Sequence, residues 1–437
     1  QDRSVSYTSP GRIYEDLVIL GSSVGEGPRP AAPGHIRAYD VRTGEQEWIF
    51  HTIPFPDEYG HETWPRGAHL EKGGANNWTG MSLDPARGVV YVPTGSASFD
   101  FYGGDRPGTN LFSTSILALD ARTGERIWHY QTVHHNIWDY DIPAPPNLIE
   151  VRHDGEMVEA LAQITKTGHV FLLDRETGVP LFPVQERPVP ASDLIGEEAW
   201  PTQPVPVKPP PFARQAYTRE LIPDYSEGAR SEVLDRFDEV RPGSLFVPPS
   251  TDGTVIFPGF NGGGEWGGAS YDPATGWLYV NAQELPWILT MVPTEGEEGG
   301  ATATTTGELL YRSNCASCHG LDRSGAPPTY PSLVDVADRR GEATIRAVIE
   351  NGQGRMPSFG HLSDREVEAL LAYLSGESSG EAVAADSASA PIPHPYTHTG
   401  YNKWKTSNGY PAVDPPWGTL SAIDLTSGEI VWQVPHG

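Results

Sequence analysis

The chain has 437 residues, of which 57 are acidic and 30 are basic, so its formal net charge at pH 7 is -27. This charge argues against nucleic acid and anionic membrane surfaces as partners, because both attract basic patches. Hydrophobic residues make up 38% and aromatic residues 10%, which suits a packed core, and the sequence contains no apolar run of the roughly 18 residues that a membrane span needs.

A pattern of a turn followed by an aromatic residue recurs along the chain. Each copy opens with Asp-x-x-Thr-Gly or Asp-x-x-Ser-Gly, and an aromatic residue follows the Asp by eight positions. The pairs of Asp and aromatic residue are Asp40 and Trp48, Asp120 and Trp128, Asp174 and Phe182, and Asp424 and Trp432. A short alternating or apolar run before most of these turns, and a second run after each, predict β-hairpins. We expect the aromatic residue to dock its hairpin against a neighbouring hairpin.

A second phrase supports the same architecture. Residues 84–92 and 272–280 both begin with Asp-Pro-Ala, turn at Gly and continue as a strand, and each follows a Gly-rich segment that ends in Trp. Many short strands, frequent Gly and Pro, and a recurring aromatic context indicate a β-propeller. A β-sandwich is the alternative.

The segment from Val133 to Pro146 carries the most concentrated polar chemistry of these β regions. Asp139 and Asp141 are two residues apart, so on an extended strand they would share a face. Paired carboxylates suit a divalent cation and allow one of them to act as a base. The alternative is a turn in which Asp caps backbone N–H groups. If the segment is a strand, at most one of His134 and His135 faces inward.

Two linkers enclose a different kind of sequence. Residues 293–306 are rich in Glu, Gly and Thr, and residues 375–393 are rich in Ser, Ala, Glu, Gly and Pro. Both compositions suit a flexible tether. Between them, the capping box Ser363–Glu366 opens an amphipathic helix that stops at Gly376, with an apolar stripe of Val367, Leu370, Leu371 and Leu374. Residues 341–351 are a second helix candidate.

The insert between the linkers contains Cys315, Cys318 and His319 in a Cys-x-x-Cys-His motif, which is the pattern of c-type haem attachment. Both thiols would form thioethers with the porphyrin, and His319 is placed to give the iron an axial nitrogen. A zinc site would need further ligands, and His361 is the only other imidazole of the insert. A thioredoxin-like redox pair would need neither the His nor a small helical domain.

Met356 is the only methionine of the insert and lies in the segment Gly-Arg-Met-Pro-Ser-Phe. A thioether as the sixth ligand raises the potential of a haem that carries electrons. Core filling is the alternative role for a lone Met. The flanking Gly and Pro, in a loop between two helices, favour the ligand. A haem attached to this propeller implies that the propeller produces electrons, and covalent attachment points to the bacterial periplasm or exterior.

These patterns predict a mainly β fold, a β-propeller with an inserted small α-helical cytochrome c domain. The predicted domains are the first part of the propeller at residues 1–300, the cytochrome c-like insert at 301–380, and a linker followed by the continued propeller at 381–437.

Outside the insert, the chain resembles the pyrroloquinoline-quinone-dependent dehydrogenases, most of all their membrane glucose dehydrogenase-like branch. The resemblance rests on segment 133–146, on Gln163–Gly168 (Gln-Ile-Thr-Lys-Thr-Gly), on Gly73–Trp78 and on the repeats, and it covers nearly the whole propeller. Some members of the family add a c-type haem domain. The resemblance implies a quinoprotein propeller, pyrroloquinoline quinone (PQQ) as cofactor, and Ca²⁺ or a similar ion.

The resemblance also implies roles for single residues. Asp139 falls where the family has the general base that takes the proton of the substrate hydroxyl, and Asp141 falls where some members place an extra metal-binding carboxylate. Glu26 falls near the metal-binding Glu of the family. Ser96 stands where alcohol-oxidising members have an Asn ligand, and its single, shorter oxygen leaves the metal coordination there open.

Two further residues are expected to contact the quinone. Lys166 falls where the family places a cation against the quinone oxygens, and in a water-excluded site it would stabilise the charge that develops there, together with the metal ion. Trp78 falls where an indole forms the floor under the cofactor by offset stacking. The alternatives are an exposed lysine in a hairpin turn and an ordinary propeller tryptophan.

These inferences predict an enzyme. We expect a dehydrogenase that oxidises a hydroxyl of an aldose or polyol, or of another sugar or alcohol, and passes electrons through haem c to a respiratory acceptor such as a cytochrome, a quinone or an oxidase. The adjacent-cysteine disulfide of some alcohol-oxidising members is absent, which favours the sugar branch. The alternative is a non-catalytic propeller scaffold that carries an electron-transfer domain.

The extent of the propeller is a further expectation. Family propellers have eight blades, and about five can be counted here. The chain begins at Gln1 without a visible signal peptide and ends just after an aromatic docking residue. We therefore expect a fragment that lacks blades at both ends, with a smaller closed propeller as the alternative.

Overall fold

The structure is a computed structural model. Its described residues are 5–28, 30–294, 306–320, 322–325, 330–354, 356, 358–360, 362, 364–376 and 394–436. The chain forms two compact units, one of residues 3–288 and 403–437 and one of residues 289–402. We call the first the propeller unit and the second the helical unit. The predicted domain boundaries at 301 and 380 lie outside the described residues and stay predictions.

The strands of the described residues are short. In chain order they are β1 (Arg12–Tyr14), β2 (Leu17–Leu20), β3 (Ile36–Asp40), β4 (Gln46–Phe50), β5 (Ser82–Asp84), β6 (Val89–Pro93), β7 (Ser115–Asp120), β8 (Arg126–Gln131), β9 (Asn147–His153), β10 (Glu156–Ile164), β11 (Val170–Asp174), β12 (Val184–Pro188), β13 (Thr202–Pro206), β14 (Thr254–Ile256), β15 (Ala269–Asp272), β16 (Trp277–Gln283), β17 (Trp287–Leu289), β18 (Met291–Pro293), β19 (Tyr396–His398), β20 (Asn402–Lys403), β21 (Gly418–Asp424) and β22 (Glu429–Pro435).

Most of the propeller unit consists of antiparallel sheets whose strands follow one another in chain order. The sheets are β1-β2-β3-β4, β5-β6-β7-β8, β9-β10-β11 and β15-β16-β21-β22. Four-stranded meanders of this kind are the blades of a propeller. Within the described residues, three of these sheets have four strands and β9-β10-β11 has three, so four blade-like sheets are seen where the sequence suggested about five. The helical unit contains the strand pair β18 and β19, with Met291 opposite His398.

The repeated Asp-x-x-Thr-Gly segments form the hairpin turns that the sequence predicts. In the first copy, Asp40 Oδ1 accepts hydrogen bonds from the backbone N–H groups of Arg42 and Thr43, both at 2.8 Å. Gly44 closes the turn with a φ of 74°, a left-handed conformation that glycine adopts without steric cost. This local bonding explains why Asp and Gly recur at these two positions.

Three of the four repeat aromatic residues dock on the turn glycine of another repeat, as the sequence predicts. A Cβ atom built on any of these glycines would overlap the aromatic ring. The pairs, with the distance from that Cβ to the nearest ring atom, are Gly124 and Trp48 (2.5 Å), Gly178 and Trp128 (2.6 Å), and Gly428 and Phe182 (2.8 Å). The indole N–H groups also donate to neighbouring turns, at 3.2 Å from Trp48 Nε1 to Ala121 O and 3.2 Å from Trp128 Nε1 to Arg175 O. The repeat therefore encodes contacts between blades.

The hydrophobic core of the propeller unit lies between consecutive sheets. One cluster joins the first two sheets through Ile19, Trp48 and Leu117. A second joins β5–β8 to β9–β11 and includes Trp128 and Phe171. Because both faces of the inner sheets are covered, their strands are almost continuously buried, as the five buried residues of β6 illustrate.

The helices lie mostly in the helical unit. Those of the propeller unit are α1 (Ala68–Glu71) and α2 (Glu227–Phe237), with 3₁₀ turns at His61–Thr63 and Arg219–Leu221. Those of the helical unit are α3 (Thr306–Asn314), α4 (Ala316–His319), α5 (Val336–Arg340), α6 (Glu342–Asn351) and α7 (Asp364–Ser375). None of the helices in the described part of the chain is long and apolar enough to cross a membrane.

Both predicted helices of the insert are confirmed. Helix α6 begins one residue after the predicted start and buries Ile345 and Ile349. Helix α7 buries Val367, Leu370, Leu371 and Leu374, the predicted apolar stripe. Ser363 of the predicted capping box lies outside the described residues. These apolar faces, together with α3 and α4, enclose the core of the helical unit.

Candidate functional site

The segment between β8 and β9 is a loop, so the expectation of an extended strand is wrong. Asp139 has a φ of 54° and His135 a φ of 44°, both in the left-handed region. Left-handed residues turn the chain, which breaks the alternation of side chains on a strand. Asp139 and Asp141 nevertheless approach a common partner. Of the paired imidazoles, His135 is buried and His134 is only partly buried.

That common partner is Lys166, which lies in the turn between β10 and β11. Its Nζ is 3.0 Å from Asp139 Oδ1, 3.1 Å from the Asp139 carbonyl oxygen and 3.6 Å from Asp141 Oδ2. Lys166 is only 4% exposed, so the alternative of an exposed turn lysine is wrong. Gly263 packs against this turn, and a Cβ on it would lie 2.2 Å from the Lys166 carbonyl oxygen.

Asp141 is anchored by residues far from it in the sequence. Its Oδ1 accepts from the backbone N (2.6 Å) and the Oγ (2.9 Å) of Ser96, and its Oδ2 accepts from Trp78 Nε1 at 2.9 Å. The predicted alternative, local capping of a turn by Asp, is therefore wrong for Asp141. Gly95 leaves the necessary space, because a Cβ there would lie 2.8 Å from Asp141 Oδ1.

Trp78 lies beside this cluster of charges. The indole is partly buried, and the Lys166 ammonium lies over its ring at 5.9 Å from the centroid. These residues therefore form one site. We call it the Lys166 site, and it consists of Lys166, Asp139, Asp141, Ser96 and Trp78. The structure brings together five of the residues predicted for the propeller chemistry.

Burial and charge shift the protonation of this site. Burial raises the pKa of Asp139 well above its ordinary value; the Lys166 ammonium opposes this shift, and Asp141 adds to it. Burial alone would lower the pKa of Lys166, but Asp139 and Asp141 outweigh it, so the pKa of Lys166 is raised. Lys166 therefore stays protonated, while Asp139 holds a proton more readily than an exposed aspartate.

Two more carboxylates act on this site. Glu26, predicted as a metal ligand, has an exposed side chain, yet its charge contributes to the raised pKa values of Asp100 and Asp139. Asp100, which the sequence interpretation missed, is 3% exposed, and burial is the largest cause of its raised pKa. Its signal in the sequence is a single charged residue between Phe99 and Phe101.

The residues around Trp78 fit a polyanionic aromatic cofactor. The buried hydroxyl oxygens of Ser22 and Thr79 have no hydrogen-bond partner within the described residues. Thr79 follows Trp78 directly, and the Ser22 carbonyl accepts from Asn76 Nδ2 at 2.9 Å, so both hydroxyls belong to segments around the indole. Free hydroxyl donors, a buried ammonium and an indole face together match the carboxylates, oxygens and ring of PQQ.

The donor chemistry also suits a hard cation, although a ligand set is not arranged. Four carboxylates, those of Glu26, Asp100, Asp139 and Asp141, act on one another against the single Lys166 ammonium. Oxygen donors of this kind are those that Ca²⁺ prefers. Within the described residues, no group of three or more His, Cys, Asp or Glu side chains could hold a metal ion as placed. The charge fits Ca²⁺, and the observed geometry holds an ammonium instead.

In the helical unit, the Cys-x-x-Cys-His motif forms the turn of helix α4. Cys315 is the N-cap and is buried, and the His319 backbone N–H donates to the Cys315 carbonyl oxygen at 2.9 Å. Residues four positions apart lie on the same helix face, so the Cys315 thiol and the His319 imidazole share one face. The backbone of Cys318 belongs to α4, and its side chain lies outside the described residues.

The tautomer of His319 suits an iron ligand. Its Nδ1 lies 2.8 Å from the Pro331 carbonyl oxygen. A carbonyl only accepts hydrogen bonds, so Nδ1 must carry the proton and Nε2 keeps a free lone pair. Burial lowers the pKa of His319, which further favours the neutral ring.

Met356 also fits the haem hypothesis. It is partly buried and packs against the same hydrophobic cluster that contains Cys315. Met356 and Gln353 exchange two backbone hydrogen bonds, both 3.0 Å, in a tight turn that fixes the start of its side chain. Cys315, His319 and Met356 therefore fit a c-type haem with His and Met ligands. His361, the remaining imidazole considered for zinc, lies outside the described residues.

Two family profiles match this chain. The PQQ profile, described as glucose/ethanol/alcohol dehydrogenase, beta-propeller domain, matches residues 1–322 and 344–437. The profile described as cytochrome c oxidase, cbb3-type, subunit III, matches residues 302–374. The first match covers most of the chain, and the second lies within the predicted insert of residues 301–380.

Curated relatives agree with the profiles. Quinoprotein glucose dehydrogenase A of Acinetobacter calcoaceticus is 34% identical over 98% of this chain and 44% of its own length. Quinate/shikimate dehydrogenase (quinone) of Acinetobacter baylyi is 29% identical over the same shares, 98% and 44%. The glycerol dehydrogenase large subunit of Gluconobacter oxydans is 37% identical over 64% of this chain and 38% of its length. The chain thus spans less than half the length of these relatives.

Solved structures show the same fold. A quinohemoprotein alcohol dehydrogenase from Comamonas testosteroni superposes with a TM-score of 0.54 and 21% identity, over 100% of this chain and 47% of that chain. A europium-containing methanol dehydrogenase gives a TM-score of 0.54 with 18% identity, over 98% and 54%. The predicted fold class, a propeller of the quinoprotein type with an inserted cytochrome c-like domain, is confirmed.

Proposed function

The chain belongs to the PQQ-dependent glucose/ethanol/alcohol dehydrogenase family, and on this premise we propose that it carries the site of a quinoprotein dehydrogenase that oxidises a hydroxyl of an aldose or polyol. One observation carries the proposal: the Lys166 ammonium is buried between Asp139 and Asp141, beside an indole and unpartnered hydroxyls. A buried ion pair of this kind is costly to a fold, so its presence beside a cofactor-sized set of donors favours chemistry over structure.

Asp139 is the better base of the two aspartates. Oxidation of a hydroxyl to a carbonyl removes a proton from oxygen and a hydride from carbon. Both carboxylate oxygens of Asp141 already accept hydrogen bonds, from Ser96 and Trp78. Within the described residues, Asp139 accepts through Oδ1 alone, from Lys166, so its other oxygen is available to take the proton.

The remaining residues of the site orient and stabilise. When bound, PQQ would supply the acceptor for the hydride and deliver the electrons onward. Lys166 would place its positive charge where negative charge develops, and in a buried site this charge is only weakly screened. Trp78 would support the ring of the cofactor, and Ser96 would hold Asp141 in position. The family resemblance implies Ca²⁺ or a similar ion at Glu26, Ser96, Asp139 and Asp141, and binding it would require the Asp139 and Asp141 side chains to move from their places around the Lys166 ammonium.

The helical unit is proposed to receive the electrons. Cys315 and Cys318 would attach the haem, and His319 and Met356 would ligate its iron, which places the potential in the range of electron carriers. The acceptor after the haem would be a respiratory cytochrome, quinone or oxidase. Because covalent haem attachment takes place outside the cytoplasm, we propose a periplasmic or secreted location in a bacterium.

The scaffold alternative gains no support from the site. A scaffold needs blade contacts, which the docking of Trp48 and Trp128 already provides. It has no use for a buried lysine between two aspartates. The unpartnered hydroxyls near Trp78 are likewise unexplained by a scaffold.

Reconstitution tests the proposal. The protein, matured with haem in a periplasm, would be loaded with PQQ and Ca²⁺, and the visible spectrum of the haem would be followed under argon. Glucose, then other aldoses and polyols, then simple alcohols would be added in turn. We expect aldoses or polyols to reduce the haem.

The controls separate the possible failures. Dithionite must reduce the haem, which shows that the cytochrome is intact. Reduction by simple alcohols alone would overturn the sugar assignment. If no substrate reduces the haem or an added dye, either in this chain or in a longer protein extended at both ends, the proposed activity is wrong.

A further inference from the structure

The conformation of Asp139 requires an explanation that the proposed chemistry does not give. Its φ of 54° lies in the left-handed region, which non-glycine residues occupy only at an energetic cost. A conformation of this kind persists only when the surrounding structure holds it. Lys166 Nζ donates to the Asp139 carbonyl oxygen at 3.1 Å and to Oδ1 at 3.0 Å, and further contacts act on the backbone on either side of Asp139.

Asn136 supplies these contacts. Its Oδ1 accepts from the backbone N–H groups on both sides of Asp139, those of Trp138 at 3.0 Å and Tyr140 at 3.3 Å. Its Nδ2 donates to Ser96 Oγ at 2.8 Å and to Thr114 Oγ1 at 3.0 Å. Asn136 is 0% exposed, so every hydrogen-bonding site of this amide is used in a buried environment.

The same amide reaches the second aspartate. Ser96 Oγ accepts from Asn136 and donates to Asp141 Oδ1 at 2.9 Å. One side chain thus fixes the backbone around Asp139 directly and Asp141 through one hydroxyl. Asn136 therefore holds the segments that carry both carboxylates, whose oxygens Lys166 contacts at 3.0 Å and 3.6 Å.

Asn136 is itself fixed from outside the loop. The backbone carbonyl oxygen of Asn136 accepts a hydrogen bond from the Arg106 guanidinium at 2.7 Å. The Arg106 guanidinium is 0% exposed and also donates to Asn110 Oδ1 at 2.7 Å. The preceding His135 is held at both ring nitrogens, with Nε2 2.8 Å from Glu197 Oε1 and Nδ1 2.9 Å from the Gly108 carbonyl oxygen. We call the four hydrogen bonds of the Asn136 side-chain amide the clamp. The residues that hold Asn136 in place, Arg106, His135 and Glu197, are themselves buried.

We propose that Asn136 is a positioning residue that holds the Asp139 carboxylate in its reactive place through the Trp138 and Tyr140 amides and through Ser96. The proposal rests on the proposed function in one respect only, that Asp139 is the base. The clamp itself is a property of this chain whether or not that function holds.

Three variants test the clamp in the full 437-residue chain. Asn136→Ala removes all four hydrogen bonds. Asn136→Asp keeps the acceptor for the Trp138 and Tyr140 amides and loses the two donors. Asn147→Asp is the control, because Asn147 is the first residue of β9 and donates to the Ala269 carbonyl oxygen at 3.0 Å, so the same change acts there on a contact that does not involve the Trp138 and Tyr140 amides. Melting curves identify any variant that does not fold.

The first readout is amide hydrogen exchange of the peptide that contains Trp138 and Tyr140, measured on protein without added cofactor. We expect exchange at least about tenfold faster in Asn136→Ala, and close to wild type in Asn136→Asp and Asn147→Asp. Equal exchange in all four proteins would overturn the clamp, including in the case where the wild type oxidises no substrate.

The second readout is steady-state turnover after loading with PQQ and Ca²⁺. We expect kcat to fall about 10²-fold in Asn136→Ala, with KM within about threefold of wild type, because a displaced base slows the chemical step more than it weakens binding. Asn136→Asp should recover most of this loss. A loss of kcat in Asn147→Asp as large as in Asn136→Ala would show a general structural effect and overturn the proposal.

Discussion

The two functional regions of this molecule are built in opposite ways. In the helical unit, Cys315 and His319 lie on one face of the helical turn α4, four residues apart, so the local helix alone brings them together. In the propeller unit, Asp139, Lys166 and Ser96 come from three separate loops and meet only in the folded propeller. A short motif identifies the first site, whereas the second depends on the packing of distant segments.

This difference predicts different sensitivities. A site made from one helical turn loses its function when one of its ligands is lost. Substitutions outside that turn should affect it little. A site made from buried charges on several loops depends on every residue that fixes those loops, including residues such as Asn136 that touch no substrate. Each of the following experiments changes one region of the molecule.

The largest effect is expected for Asp139→Asn. The amide keeps the size of the side chain and cannot take a proton, so substrate-driven reduction should fall at least about 10³-fold. Reduction of the haem by dithionite should not change, which confines the effect to the propeller unit. Asp40→Asn is the control, because Asn can also accept the turn hydrogen bonds at that position. A loss below about tenfold in Asp139→Asn would assign the base elsewhere.

The second-largest effect is expected for Lys166→Met. The change removes the only ammonium within 4 Å of the two aspartates in the described residues, and kcat/KM should fall about 10²-fold or more. Lys208→Met is the matched control, since Lys208 is 43% exposed and pairs with Glu429 on the surface. Kinetics with an artificial dye acceptor measure both variants. Similar activity of the two variants would mean that Lys166 serves the fold and not the reaction.

Met356→Leu should separate the two regions. Loss of the thioether ligand lowers the haem potential, so reduction of the haem by substrate should slow at least about tenfold, while dye-coupled turnover stays within about twofold of wild type. Met291→Leu is the control, because Met291 is a buried core methionine of the same unit. Stopped-flow absorbance of the haem follows the transfer. Identical haem spectra and rates in both variants would assign Met356 to core filling.

Gly124→Ala tests the contacts between blades. Gly124 and Gly44 have nearly the same φ, 75° and 74°, but a Cβ on Gly124 meets the Trp48 ring at 2.5 Å, whereas nothing lies within 4 Å of one on Gly44. We expect Gly44→Ala to cost about 1 kcal/mol of unfolding free energy and Gly124→Ala about 3 kcal/mol. Chemical denaturation monitored by tryptophan fluorescence measures both. Equal losses of unfolding free energy in the two variants would show that the Trp48 ring moves aside without a loss of stability.

The smallest expected effect is the loss of folding stability in acid that His35 causes. Burial, with smaller contributions from His51 and Arg37, lowers the pKa of His35 to about 3, and its Nδ1 accepts from the Thr52 backbone N–H, which requires the neutral ring. The unfolded chain binds a proton near its ordinary value of 6.5, so this stability is complete above that pH and is lost as the pH falls from 6.5 towards about 3.

His35→Gln should remove that dependence. Between about pH 7.5 and about pH 5, the wild type should lose about 2 kcal/mol more unfolding free energy than the variant. Denaturation of both proteins at the two pH values measures the difference, in which the contributions of all other groups cancel. An equal acid loss in wild type and variant would contradict the buried neutral state of His35.

The sequence predicted features that short segments encode. The hairpin turns follow from Asp and Gly at fixed spacing, because Asp40 and its counterparts bond to backbone groups two and three residues away. The docking of Trp48 followed from its constant offset within a repeated unit. The amphipathic stripe of α7 predicted which of its residues are buried.

The Lys166 site was predictable only in part. The family resemblance selected Asp139, Asp141, Lys166, Trp78 and Ser96, and the structure brings them together. Reasoning from strand periodicity placed Asp139 and Asp141 on one extended face, and this was wrong because Asp139 is left-handed. The buried Asp100 carried only a weak signal, and Asn136 carried none, since a lone Asn in a polar loop has no periodic pattern.

The sequence by itself determined the hairpin repeat, the helices of the insert and the haem motif, because each rests on contacts between residues a few positions apart. Only the tertiary structure decided that Lys166 is buried between two aspartates and that Asn136 holds the backbone around Asp139. Those contacts join Lys166 to residues 27 and 25 positions away or hold a loop in a conformation that its own residues disfavour. Their stability comes from exclusion of water by packed blades, and the residues of the loop alone cannot provide it.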